Sequence, residues 1–258
     1  MNKLIISLVS LFMAFSLSAS TVNMDVDGNQ LIVFLTQTPA ADGKAVLILP
    51  GGGYSHLAME HEGTQIAQWL ADNGITAGVL AYPMPKGEYA KPADTVRKAM
   101  KLMRSHASEW GFSADSLGIV GSSAGGHLAS TVATHGDKAD RPAFQVLLYP
   151  VITMDSTLTH PGSRKNLLGK NPSAELEALY SNELQVDSLT PRAFVVLSND
   201  DTVVPPLNSI NYYEALIDNS IPASLHIYPT GGHGWGMRTS FRYHNLFTDE
   251  LLAWLRSF

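Results

Sequence analysis

A serine hydroxyl attacks a carbonyl only when a neighbouring base takes its proton, so the residues to find come as a set. The segment Leu117-Gly118-Ile119-Val120-Gly121-Ser122-Ser123-Ala124-Gly125-Gly126-His127 contains G-x-S-x-G, with Ser123 in the nucleophile position. An apolar strand pattern runs into the motif and a helical pattern runs out of it, the context that a nucleophile elbow requires. The glycines allow a turn so sharp that neighbouring backbone leaves no room for side chains. Ser122 is the adjacent decoy, excluded by the glycine frame.

The base must be one of nine histidines. His106, His135, His226 and His244 fall in or beside regular elements, and His160 lies in a segment of irregular pattern; for these the surface or satisfied-core reading is preferred. His127, just past the elbow, is read as structural, its ring bonding nearby backbone. His233 differs, because it sits in the glycine-packed loop Pro229-Thr230-Gly231-Gly232-His233-Gly234-Trp235-Gly236 that follows a strand pattern. Between Ser123 and His233, an apolar strand ends at Asn199-Asp200-Asp201-Thr202. An aspartate there would fix the imidazole tautomer and stabilise the imidazolium. Two aspartates compete; Asp200 is preferred as the acid, with Asp201 capping the following segment. Leu49-Pro50-Gly51-Gly52-Gly53-Tyr54 follows an early strand. Backbone N–H groups of Gly52 and Gly53, with that of Ala124, are placed as the oxyanion hole. Tyr54 and Trp235, beside these loops, are candidate pocket surfaces for a sugar ring or acyl chain, with core packing the competing reading.

Positioning these residues requires strands that end beside one another. Apolar, β-rich runs at 30–36, 45–50, 75–82, 116–120, 144–149, 193–198 and 224–228 predict strands. Several are unbroken, as in Val46-Leu47-Ile48-Leu49, which suits a parallel sheet covered on both faces. Helical patterns at 63–72, 93–110, 124–135, 207–219 and 241–256 lie between them. Such alternation predicts one α/β unit with a mostly parallel central sheet and helices on both faces. The segment 154–191 lacks a strand pattern and reads as an insertion over one end of the sheet.

Composition narrows the function classes. The 258 residues carry 17 Lys+Arg against 23 Asp+Glu, a formal net charge of −6, and are 45% hydrophobic. That is enough apolar residue for a sizeable core, and an acidic chain without basic runs is a poor partner for nucleic acid. Zero cysteine excludes thiol catalysis, disulfides and Cys-ligated zinc. His56 and His61 near Glu60 and Glu62 do not form H-E-x-x-H, so neither metal nor cofactor is expected. Lys3, an apolar run to Phe15 and the small residues Ser16 to Ser20 have the tripartite form of a secretory signal. Residues 1–20 are therefore expected to direct export and 21–258 to form the hydrolase domain, with no membrane segment in the mature form.

The ordered motifs resemble the secreted α/β-hydrolase esterases of bacterial xylan-degrading systems. They include Pro50-Gly51-Gly52-Gly53-Tyr54 with Glu62-Gly63, Arg104-Ser105-His106-Ala107 through Trp110-Gly111, and Gly121 to Leu128. Asn166-Leu167-Leu168-Gly169, Asp200-Asp201 before Val204-Pro205, and Gly231 to Gly236 complete the set. The chain resembles the acetyl-xylan esterase and feruloyl-esterase-like proteins of polysaccharide-utilising Bacteroidetes, over about residue 44 to the C-terminus. The resemblance implies an α/β-hydrolase fold and removal of acetyl, or feruloyl, groups from xylan or its oligosaccharides. Ala81-Tyr82-Pro83-Met84-Pro85 stands where such proteins often carry a tyrosine-arginine pair, and Ser122 where many have a bulky apolar residue. Two other readings remain open: a serine peptidase of prolyl-oligopeptidase type, and an inactive carbohydrate-binding relative.

Overall fold

A computed structural model describes residues 19–40 and 43–258. The proposed export signal therefore falls, but for its last two residues, outside the described residues. Among the described residues no helix is long and apolar enough to cross a membrane.

Eight strands form one sheet: β1 (Ser20–Val26), β2 (Asn29–Leu35), β3 (Ala45–Leu49), β4 (Thr76–Leu80), β5 (Leu117–Ser122), β6 (Gln145–Leu148), β7 (Ala193–Ser198) and β8 (Ala223–Tyr228). Their spatial order is β1-β2-β4-β3-β5-β6-β7-β8. β1 and β2 pair antiparallel, as do β2 and β4, and every other pair is parallel. Seven of these strands match the sequence expectation; β1 does not appear in it. Its residues alternate polar and apolar, with Val26 buried and Thr21 and Asp25 exposed. It is joined to β2 through Asp27 (φ 52°) and Gly28 (φ 80°). Two consecutive positive φ values define the hairpin turn that Asp-Gly favours.

The helices are α1 (Gln65–Asp72), α2 (Lys91–Ser105), α3 (Ala124–Thr134), α4 (Pro161–Leu168), α5 (Ala174–Tyr180), α6 (Leu207–Asp218) and α7 (His244–Leu255). Unbroken apolar strands bury both faces, so each strand feeds two cores. Ala45, Leu47 and Leu49 of β3 join one core with Val96, Met100 and Met103 of α2, Leu128 and Val132 of α3, and Tyr212 of α6. Val46 and Ile48 join the other, with Ile66 and Leu70 of α1 and Phe247 and Leu251 of α7. The stripe Val96, Met100, Met103 read from the sequence is the buried face of α2. The segment 154–191 holds α4, α5 and a short 3₁₀ turn, and no strand.

The chain adds β4 on one side of β3 and β5 on the other, so connections diverge where β3 and β5 pair. The crevice beyond the carboxyl ends of such diverging strands is where ligands bind in α/β sheets. The Gly51–Gly53 loop leaves β3 at that point, and the Ser123 turn leaves β5.

Candidate active site

Ser123 occupies the single residue between β5 and α3, with φ 53° and ψ −119°. This strained conformation lifts its side chain off the strand end, leaving the residue 7% exposed while Ser122 is fully buried. The turn closes only because Gly125 has no side chain: a Cβ there would lie 2.0 Å from the Leu49 carbonyl oxygen. Three of the six described non-glycine residues with positive φ, namely Tyr54, Ser123 and Tyr149, surround this site. Such outliers persist only where the surrounding structure over-determines them.

His233 Nε2 lies 2.8 Å from Ser123 Oγ. Its Nδ1 lies 2.7 Å from Asp201 Oδ2. Asp201, not the expected Asp200, therefore orients the histidine. The side chain of Asp201 is fully buried, and its other oxygen accepts the N–H groups of Val203 (2.9 Å) and Val204 (3.0 Å). Asp200 turns outward and its Oδ1 accepts Gly232 N–H at 2.8 Å, supporting the histidine loop from outside. The pairing role falls to Asp201 instead of Asp200, while the capping role expected of Asp201 stays with it. The buried one does both the capping and the pairing.

Gly52 and Gly53 lie in the same cleft as Ser123 and His233. Their N–H groups and that of Ala124 make no hydrogen bond to any described residue. Ala124 opens α3, and Ser123 does not cap that helix with its side chain, so the positive end of the helix is left facing the turn. The Gly51 N–H is not available, because it donates to Glu62 Oε2 at 2.8 Å. Gly52 takes φ 130°, and a Cβ there would lie 2.1 Å from the His56 carbonyl oxygen. The loop is held in place by Tyr82 O–H donating to Pro50 O (2.7 Å) and Asn166 Nδ2 donating to Gly53 O (2.8 Å).

Glu62 ties the two loops together. Its Oε1 accepts the Tyr149 hydroxyl at 2.8 Å, and the Tyr149 oxygen in turn accepts Gly236 N–H at 2.8 Å. Burial and the Glu62 carboxylate push the Tyr149 hydroxyl pKa well above its ordinary value, which keeps it a donor. The Tyr149 ring also packs edge-on against His233, with centroids 4.8 Å apart. Glu62 thus links the Gly51–Gly53 loop to the histidine loop through one tyrosine. In Glu62→Gln a single carbonyl oxygen must serve two donors. We expect a loss of about 1–3 kcal/mol in stability and roughly tenfold in kcat/KM, read by thermal denaturation and steady-state kinetics.

Neither aromatic residue placed beside the pocket lines it. Tyr54 is 3% exposed and bonds His127 Nδ1 through its hydroxyl at 2.9 Å. Trp235 is 4% exposed, donates to Ser198 Oγ and stacks on Phe241 with centroids 4.1 Å apart. Both side chains anchor glycine-rich loops to the core, so their candidate roles against substrate are corrected to packing ones.

His127 is structural, as read from the sequence. Nε2 lies 2.8 Å from the Tyr180 carbonyl oxygen, so it carries the proton, and Nδ1 accepts from Tyr54. Complete burial lowers its pKa to about 4 from the ordinary 6.5. The unfolded chain therefore binds a proton at pH 4–6.5 that the folded chain refuses. This residue's contribution to stability is present above about pH 6.5 and is lost as the pH falls towards 4, by roughly 3 kcal/mol. Urea unfolding from pH 7 to pH 4 should show that slope, and His127→Gln should flatten it.

The cleft holding these groups has a volume of about 440 Å³ and is also lined by Ser55, His56, His61, His160, Asn166, Val203 and Arg238. A larger cleft of about 810 Å³, lined by Arg104 and Arg141, contains none of Ser123, Asp201 and His233; chemistry rather than size marks the site. The sequence assigns no role in the site to Glu62, Tyr149 or His160. Only Glu62 carried a signal, as part of the Glu62-Gly63 pair.

Residues 46–237 match a family described by its alpha/beta hydrolase fold. The chain is 38% identical over 267 residues to an acetylxylan esterase of Xylanibacter ruminicola, covering 100% of this chain and 55% of that protein. It is 34% identical over 204 residues to an endo-1,4-beta-xylanase B of Butyrivibrio fibrisolvens, covering 73% of this chain and 32% of that one. It therefore spans about half of the first relative and a third of the second. Among solved structures, an acetyl ester-xyloside bifunctional hydrolase from Caldicellulosiruptor lactoaceticus superposes with a TM-score of 0.82 at 34% identity. That match covers 89% of this chain and 88% of that one.

Proposed function

The chain belongs to the α/β-hydrolase fold family, and from that membership we propose that it is a serine carboxylesterase that removes acetyl groups from xylan or xylo-oligosaccharides. The observation that carries the reading is the unbroken chain of hydrogen bonds from Ser123 through His233 to Asp201. It opens into one cleft with the unpaired N–H groups of Gly52 and Gly53. A binding protein without catalysis has no need of this arrangement. The xylan substrate is supported by the relatives named an acetylxylan esterase and an acetyl ester-xyloside hydrolase. Export through residues 1–20 belongs to the same reading, since acetylated xylan is a polymer met outside the cell.

In this mechanism Ser123 Oγ attacks the ester carbonyl as its proton passes to His233 Nε2. Asp201 holds the imidazole with Nδ1 protonated and stabilises the imidazolium formed. The oxyanion is received by the N–H groups of Gly52, Gly53 and Ala124, preformed and without competing partners. Collapse breaks the bond to the sugar oxygen, which takes the proton from Nε2 and leaves an acetyl-Ser123. Water, deprotonated by His233, then attacks this ester, and acetate leaves as Ser123 regains its proton.

The test is release of acetate against release of ferulate, from acetylated and feruloylated xylo-oligosaccharides in one assay. Acetate release is expected to dominate. Ferulate release alone would transfer the reading to feruloyl esters, and release of neither would overturn the xylan substrate.

A further inference from the structure

His160 comes from the segment 154–191 and lines the cleft beside Ser123, His233 and Gly53. Its ring caps α4: Nδ1 faces Ser163 Oγ at 2.9 Å and accepts Ser163 N–H at 3.2 Å. A nitrogen that accepts a backbone N–H carries no proton of its own, so the neutral ring must bear its proton on Nε2. Nε2 has no hydrogen-bond partner among the described residues. The ring is half-buried, and burial together with the neighbouring His233 lowers its pKa, which keeps it neutral. It rests against the Gly51–Gly53 loop, with Cε1 3.6 Å from where a Cβ on Gly53 would stand. Asn166, in the same helix, pins that loop through its bond to Gly53 O. A single N–H donor is therefore fixed relative to the nucleophile by the helix it caps.

An acetyl group offers only one oxygen besides the ester oxygen, the carbonyl, and the backbone donors of the two loops are placed to receive it. A further donor at this site has work to do only on the alcohol half of the ester. We propose that His160 Nε2–H binds a hydroxyl oxygen on the carbon next to the one bearing the ester, so that this esterase selects esters of vicinal diols such as a partly acetylated xylose unit. The inference rests on the esterase reading of the same site, but not on xylan being the substrate. His160 is thus a specificity-determining residue, and it makes no contact with the acyl carbon.

The smallest test compares ethyl acetate with 2-hydroxyethyl acetate, which differ by one vicinal hydroxyl. The wild-type protein should favour the hydroxylated ester in kcat/KM by on the order of tenfold, because a donor left unpaired penalises the analogue lacking the hydroxyl. His160→Asn retains a side chain suited to capping α4 but is too short to reach the cleft. It should bring the ratio to about one while keeping hydrolysis of ethyl acetate within about twofold. His160→Phe, which keeps the ring's bulk and loses both nitrogens, should give the same ratio. A ratio unchanged in both variants, or an equal loss on both esters, would overturn the inference. Hydrolysis of both esters by the wild type without preference would overturn it too, leaving the esterase reading intact. Hydrolysis of neither ester would overturn the two together.

Discussion

Ser123→Ala should lower kcat for acetyl esters about a million-fold while leaving the fold and the cleft intact. Ser123 Oγ is the only atom of the proposed machinery that becomes bonded to the substrate, and triad serines replaced singly cost nearly as much as removal of the whole triad. The residue that replaces it keeps the Cβ and loses one hydrogen bond, that to His233 Nε2. The positive φ of Ser123 is equally strained for alanine, so stability should change little. Activity remaining above the uncatalysed rate is expected from Gly52, Gly53 and Ala124, which still receive the oxyanion. The effect is read on p-nitrophenyl acetate with enzyme concentrations high enough to resolve the residual rate, beside a thermal unfolding curve for each protein. Wild-type turnover in Ser123→Ala would remove the serine mechanism altogether.

The second large effect separates two neighbouring aspartates. In Asp201→Asn the amide oxygen is expected to stay on the N–H groups of Val203 and Val204, which now bond Asp201 Oδ1. The amide nitrogen then replaces Oδ2 beside His233 Nδ1 and presents a proton where the carboxylate presented none. Nδ1 must become the acceptor, the imidazole proton moves to Nε2, and the base can no longer receive the serine proton. A loss of about 10⁴ in kcat follows from that wrong tautomer. Asp200→Asn has no such consequence, because an asparagine oxygen can still accept the Gly232 N–H and the side chain is exposed to solvent. Its kcat/KM should stay within about tenfold of wild type. Kinetics of the two variants side by side decide the matter, and a larger loss in Asp200→Asn would contradict the geometry.

The confusion of Asp200 with Asp201 has a physical origin. Both residues sit in a polar turn after β7, and which of them faces inward depends on how the chain bends after Ser198, where Asp201 N–H bonds the Ser198 carbonyl. Composition and spacing are identical for either choice. Tyr54 and Trp235 teach a similar lesson. An aromatic residue beside a glycine-rich loop can face the substrate or hold the loop down, and the polar partners that decide between these, His127 and Ser198, are distant in sequence. Ser123 and His233 were legible because glycine crowding and chain order constrain them locally. Their meeting needed only the parallel order of β5 to β8.

His160 reads in the sequence as a surface or satisfied-core residue, because its segment holds helical fragments but no strand to place it. Only α4 folding back onto the Gly51–Gly53 loop gives that histidine a position in the cleft. The case of β1 is different, since its signal was present: Asp27-Gly28 between two alternating runs marks a hairpin. The residues just before it, Ser16 to Ser20, carry the small-residue pattern of an export signal, so the two patterns meet at Ser20. The described chain begins that strand at Ser20, the last residue of the region read as the signal.

Covalent capture of the nucleophile tests the central claim most directly. A fluorophosphonate probe reacts with a serine only where a base has activated it and an oxyanion site receives the phosphoryl oxygen. Incubation with the full-length protein, followed by peptide mass mapping, should find one adduct, on the peptide carrying Ser123, and none in Ser123→Ala. An adduct on another serine, or no adduct on a folded wild-type protein, would contradict the account.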